Sequence, residues 1–414
     1  MIFCNFIREP LLKKLLHTAR YIILISGFMI SALTARSREV QVYFYGDTIK
    51  FQLAAAFVIP FNGVVNNENI GFFYEKANGS PYHNVVSEIL AYKAKHALDD
   101  WLFYQLIRNT SQSIAPKSEN YERYTLYKWF LLGKCGYDTE LAITDGRLLF
   151  YVSSFDNVYD IPMYSKNGKQ YICLNYHDYR KIEFSQDSLY SVNLEIPEGT
   201  KSFSYKINRI PSSKNFYHTQ KRLHFRYRFK SYNYNIAVND NLQKFFENYP
   251  CVDFGSYFNI PLSAETYNSL ILPIKKQVGK LPQLEGINYL MNFTRHAFLY
   301  ETDEVLFGKE KRLPPEQTLF SDYSDCDDRV ALLYYLVKEI YNLPIIAVVF
   351  QDHVTLAINL KKPVGKGIFY KGKQYSFCEP TPQSENISIG YTAGKYNKTP
   401  YQVVFAYDPA AHEK

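Results

Sequence analysis

The chain has 414 residues and a formal charge of +7, with 47% hydrophobic and 17% aromatic side chains. That length allows two domains of ordinary size, and the apolar fraction excludes a disordered polyelectrolyte. Six cysteines are too few for a dense disulfide scaffold, no paired Cys-x-x-Cys suits a structural zinc, and 38 Tyr and 30 Phe point to strands and cores built on single-ring aromatics.

Residues 1–35 set Arg8, Lys13, Lys14 and Arg20 ahead of the apolar run Tyr21-Ile22-Ile23-Leu24-Ile25-Ser26-Gly27-Phe28-Met29-Ile30 and a small-residue exit ending at Ala35. A positive flank, a short apolar stretch and small residues make a signal peptide, so the rest of the chain is expected outside the cytoplasm, periplasmic or secreted. The run is short for a membrane span, and an uncleaved signal acting as an anchor is the alternative. What remains after cleavage is nearly balanced in charge. Its five cysteines are an odd number, which leaves at least one thiol unpaired.

Four segments are expected: the signal peptide 1–35, a first unit over 36–189, a β-rich connection over 190–275, and a second unit over 276–414. In the first unit Glu122-Arg123-Tyr124-Thr125-Leu126-Tyr127-Lys128-Trp129-Phe130-Leu131-Leu132 reads as a helix, and Asn167-Gly168-Lys169-Gln170-Tyr171-Ile172-Cys173 as a turn entering a strand. In the connection, residues 193–200 and 223–230 read as strands. In the latter, period two puts Leu223, Phe225, Tyr227 and Phe229 on a core face and His224, Arg226, Arg228 and Lys230 in solvent. Basic residues between aromatics here are ordinary sheet patterning, so no nucleic-acid partner is expected.

The second unit carries the residues that suggest chemistry. Cys326 precedes Asp327-Asp328-Arg329 and the apolar run Val330 to Val337, which stops before Asn342-Leu343-Pro344, so Cys326 falls in the first turn of a buried helix. A thiolate is favoured at a helix N-terminus, whereas the carboxylates of Asp327 and Asp328 oppose one and are expected to point elsewhere. His353 opens the alternating strand Val354 to Ile358. Glu379 closes the strand after Gly372-Lys373-Gln374-Tyr375-Ser376-Phe377-Cys378, where Pro380 ends the ladder. In that place a carboxylate can fix the tautomer of His353. Cys378, inside its strand, reads as core.

The two units look alike. Lys-Gln-Tyr turns recur at 169–171 and 373–375, and fourteen residues separate Arg123 from Tyr137 and Arg329 from Leu343. This alignment puts Asn120 near the Cys326 position, Gly146 or Arg147 near His353, and Leu174 or Asn175 near Glu379. The first unit is therefore expected to keep the packing and lack the triad.

Cysteine, histidine and acid in this order, with Asn288-Tyr289-Leu290-Met291-Asn292-Phe293 and Pro314-Pro315-Glu316-Gln317-Thr318-Leu319 upstream, resemble the transglutaminase-like branch of the papain-type cysteine enzymes over roughly 283–385. The resemblance implies Cys326 as nucleophile, His353 as base and Glu379 as orienting acid, with Glu in place of the usual Asp and Ser324 where Gly often stands. The expected fold class is α+β: two related units, each a helix packed on an antiparallel sheet, with an intervening β region.

The expected activity is thiol-dependent hydrolysis or acyl transfer at peptide or other amides through a thioester. The Cys326 backbone N–H contributes to the oxyanion pocket, and Gln317 and Tyr323 are candidates for a second donor. No cofactor or metal is called for: no EF-hand loop and no phosphate-cradling glycine motif occur. The partner is a peptide or protein substrate, with cell-envelope association. The alternative is a non-catalytic envelope binding or scaffold protein.

Overall fold

In the computed structural model, which describes residues 37–179, 189–211, 218–384 and 387–411, the alternating segments Ser37–Phe44 (β1) and Asp47–Ala54 (β2) pair as an antiparallel hairpin. Tyr45 and Gly46 both take positive φ at its two-residue turn, matching the twist of the strands. The signal peptide expected over 1–35 lies outside the described residues. Among the described residues no helix is long and apolar enough to cross a membrane.

Four helices follow: α1 (Asn67–Asn78), α2 (His83–His96), α3 (Asp100–Ile114) and α4 (Tyr121–Lys134). The last is buried along nearly all its length and begins at Asn120, whose side chain accepts from the N–H of Arg123. It feeds an antiparallel sheet of β3 (Thr139–Thr144), β4 (Arg147–Ser153), β5 (Met163–Lys166), β6 (Lys169–Cys173) and β7 (Tyr190–Ser191), in the order β5-β6-β4-β3-β7.

The intervening region is a long hairpin of β8 (His218–Tyr227) and β9 (Lys230–Asn239), followed by short helices with one two-residue strand, Cys251–Val252, among them. Its expected β-rich character is thus mostly confined to the hairpin. There Asn239, and later Asp253 and Ser263, accept from backbone N–H groups and start helical turns. Nor is 193–200 a strand. The backbone at Gly199 passes so close to Tyr137 that a Cβ would lie 2.5 Å from the Tyr137 carbonyl, and the N–H groups of Thr200 and Lys201 turn to the Gly136 carbonyl. Leu223, Phe225 and Tyr227 face the core, but Phe229 is fully exposed, because Arg228 and Phe229 form the left-handed turn of the hairpin. The boundary expected at 275/276 cuts the helix Leu272–Val278.

Next come α5 (Gln283–His296) and α6 (Cys326–Tyr341). Ten successive residues of α6, Asp328 to Val337, are buried, as in a helix enclosed on all sides. Asn342 ends it in the left-handed region, its N–H returning to the Val337 and Lys338 carbonyls. The sheet on α6 contains β10 (Ile345–Val349), β11 (Val354–Ile358), β12 (Ile368–Tyr370), β13 (Lys373–Cys378) and β14 (Gln402–Tyr407), in the order β12-β13-β11-β10-β14.

Strand for strand this is the order of the first sheet, with α6 in the place of α4. The molecule is thus α+β, with two helix-and-sheet units of the same topology. One large apolar cluster draws residues from both units, from Val40 to Tyr407. Phe245 stacks on Phe44 and Tyr45, the Trp101 indole N–H donates to the Phe245 carbonyl at 2.9 Å, and Val158-Tyr159 pairs with Cys251-Val252. One large core shared by both units thus stands where the length allowed one core for each, and a smaller separate cluster of Ile346, Val348, Phe350, Ala357, Ile368, Tyr375 and Tyr396 lies in the second unit.

Candidate active site

Cys326 is the first residue of α6. Asp325 caps the helix, accepting from the Asp328 N–H at 3.2 Å, so the N–H groups of the first turn point outward past the cysteine. The Val354 N–H, of the residue after His353, is near enough to Cys326 to favour its thiolate, so the start of α6 faces the start of β11.

His353 closes the β10–β11 loop, where its carbonyl accepts from the Phe350 N–H at 2.8 Å. Its Nε2 lies 2.8 Å from Oε2 of Glu379, which ends β13 one residue beyond Cys378. The other carboxylate oxygen accepts from the Thr381 N–H at 2.9 Å. Both side chains are buried. With Nε2 engaged by Glu379, Nδ1 is the nitrogen left to exchange a proton. Tyr396 lies nearly parallel to the His353 ring, 5.2 Å between centroids and 10° between planes, and stacks on Phe350 as well.

Two buried arginines hold these pieces in register. Arg329 donates to five backbone carbonyls, those of Thr294, Arg295, Phe298, Leu299 and Ser324, and so ties the end of α5 to the approach to Cys326. Arg295 donates to the carbonyls of Glu379 and Ile387. Neither role has a local signal, since each arginine reaches segments distant in sequence.

The electrostatics oppose a resting thiolate. Burial, followed by Asp327 and Asp325, pushes the Cys326 thiol well above its ordinary range. Of the two aspartates expected to point away, Asp328 does, accepting from the Leu313 N–H and the Tyr257 hydroxyl. Asp327 does not: the thiol donates to its Oδ1 at 3.5 Å, and Arg312 holds its other oxygen at 3.1 Å. Burial, Asp327 and Asp303 push the Asp325 carboxyl up, and Asp327 opposes the thiolate more strongly than Asp325 does.

Of the expected oxyanion donors, Gln317 is turned toward the Gln243 carbonyl at 3.4 Å, while Tyr323 lies on the approach to Cys326. Among the described residues, no group of three or more His, Cys, Asp or Glu is placed to hold a metal, and Cys135, Cys173, Cys251, Cys326 and Cys378 are all free.

The chain matches no family model, no curated protein and no solved structure. The site stands on its own geometry.

The equivalent place in the first unit is filled differently. Matching the helix caps sets Tyr121 against Cys326, one residue from the sequence alignment. Matching Tyr151–Cys173 with Leu356–Cys378 in the ladders sets Leu148 against His353 and Leu174 against Glu379. The shift at His353 arises because two residues join β3 to β4 where four join β10 to β11. Asn175 closes this place, donating to the Tyr121 hydroxyl at 2.8 Å and to the Leu148 carbonyl at 3.0 Å. Tyr121 in turn donates to Asp178, which Lys117 holds at 2.6 Å.

Proposed function

We propose that the chain is an exported thiol enzyme of transglutaminase-like type, acting on peptide or other amides with Cys326 as nucleophile, His353 as base and Glu379 as orienting acid. The observation that carries this reading is the buried His353–Glu379 pair at 2.8 Å, set one residue from Val354, whose N–H favours the Cys326 thiolate. The matching strand order supports a duplicated unit whose first copy, 36–189, lacks the triad and whose second, 276–414, keeps it. Export rests on the sequence of 1–35, and cell-envelope peptides are the substrates it suggests.

With the thiol protonated at rest, its proton moves to Nδ1 of His353 as the sulfur attacks the amide carbonyl, rather than beforehand. The S–C bond forms, the Cys326 N–H helps to hold the oxyanion, and the C–N bond breaks as His353 returns the proton to the leaving amine. Water activated by His353 then cleaves the thioester to a carboxylic acid and the free thiol; an amine in place of water gives acyl transfer.

The raised thiol favours a second reading, in which both units bind or scaffold without turnover. The two separate in one experiment. A panel of peptide amides is incubated with the full chain and with its Cys326→Ala and His353→Ala forms, and products and thioester adducts are read by mass spectrometry. Turnover lost in both variants supports the enzyme; an absence of adduct and product with every amide leaves the binding module.

A further inference from the structure

A cavity of about 370 Å³ opens beside the segment that leads into Cys326. Lys221, Arg222 and His224 of β8 form one wall, and His296 and Leu299, at and beyond the end of α5, form another, with Tyr323 closing the side toward the cysteine. Tyr323 stands three residues before Cys326, so their Cα atoms are within about 11 Å of each other. Leu299 pairs with Tyr323 and Tyr300 with Ser324 in a short parallel bridge, and Tyr300 lies within electrostatic reach of Cys326. Arg329, bonded to the Phe298, Leu299 and Ser324 carbonyls, fixes this bridge to α6. The cavity wall and the start of α6 are thus tied together.

The charge on the wall is one-sided. Asp322 is the single carboxylate of the lining, and it is engaged by Lys221 at 2.9 Å. Arg222 donates to the neutral Asn233 amide, which leaves its charge uncompensated by that contact, and it is exposed on the same side of β8 as His224. Behind them, burial followed by Arg295 and Arg329 holds His296 below its ordinary range. The exposed Leu299 and Tyr323 offer apolar surface to the carbon stem of an anionic ligand.

We infer that this cavity is an anion-selecting subsite, and that the amide substrate carries a carboxylate two or three residues from the bond Cys326 attacks. An extended peptide advances about 3.3 Å per residue, so two or three residues cover the Tyr323–Cys326 span of at most about 11 Å. The carboxylate belongs either to an acidic side chain or to a chain terminus. The inference rests on the reading of Cys326 as nucleophile, although the cavity itself can be tested without turnover.

The test uses the full chain with Cys326→Ala and fluorescent peptides in which Glu is exchanged for Gln, each made with a free or an amidated C-terminus. In fluorescence anisotropy a carboxylate-bearing peptide binds at least about tenfold more tightly than its neutral isostere, and the four peptides tell which carboxylate matters. Arg222→Glu and, separately, His224→Glu abolish that preference; both sites are exposed, and an unchanged melting temperature verifies the fold. Equal binding of all four peptides, or a preference untouched by both substitutions, overturns the subsite. Acid preference with no adduct on the wild-type thiol upholds the cavity and removes the catalytic reading, whereas turnover without acid preference does the reverse.

Discussion

Replacing Asp327 with Asn removes the carboxylate nearest the Cys326 sulfur while keeping its size and an acceptor for the S–H. The charge sits 3.5 Å from the sulfur, which at an effective dielectric of about 20 opposes a thiolate by about 4–5 kcal/mol. The Arg312 guanidinium, 3.1 Å from the same carboxylate, offsets roughly half, leaving about 2 kcal/mol, or one to two pKa units. The thiolate fraction at a given pH then rises about 10- to 100-fold, but a less basic thiolate is a weaker nucleophile, so alkylation accelerates only about three- to tenfold. The assay follows iodoacetamide labelling of Cys326 by peptide mass spectrometry between pH 7 and 9, with buried Cys173 and Cys378 as internal controls. An unchanged or slower rate at Cys326 in Asp327→Asn refutes the assignment of its raised thiol to this carboxylate.

Glu379→Gln keeps an acceptor for the Thr381 N–H but leaves His353 without an ionic partner; turnover of a peptide amide falls by about two orders of magnitude or more while the melting temperature holds. Arg329→Met strands five carbonyls and lowers unfolding free energy by about 3–5 kcal/mol in urea titration. Arg329→Lys, with one compact donor group, recovers only part of it. Burial, partly offset by Asp178, lowers Lys128 to about 7. The unfolded chain therefore binds one more proton than the folded one from about pH 7 to its ordinary value near 10.4, and this lysine makes stability rise with pH across that window by up to about 1.4 kcal/mol per unit. Lys128→Met removes that slope in urea midpoints measured from pH 7 to 10, and a slope that persists places its origin elsewhere.

Much of the frame is legible in the sequence because its signals are local. The apolar run and the Asn342-Leu343-Pro344 stop define α6, and His353 and Glu379 sit at strand ends that alternation and Pro380 mark. The Lys-Gln-Tyr turns foretell the shared sheet order, since Asn167-Gly168 and Lys371-Gly372 both bend through positive φ into matching strands. What escapes depends on contacts across the chain. Tyr396 meets His353 through a loop 43 residues away, and Arg295 and Arg329 act on carbonyls that no pattern announces. The side chain of Asp327 turns toward the sulfur because Arg312 holds it there, a rotamer choice no local rule fixes. The turn at Arg228-Phe229 hides because neither residue is a usual turn former and the alternation of the sequence runs on through it.

The apolar interior shared by the two units has a bearing on how such a molecule can change. With Phe245 wedged against Phe44 and Tyr45, and Trp101 bonded across to it, a nick between the halves would bare aromatic surface on each fragment. The half in which Asn175 bonds Tyr121 to Leu148 acts as a foundation for the other. Both would melt as one, and drift in the foundation would be heard as lost solubility of the whole long before it touched any reaction.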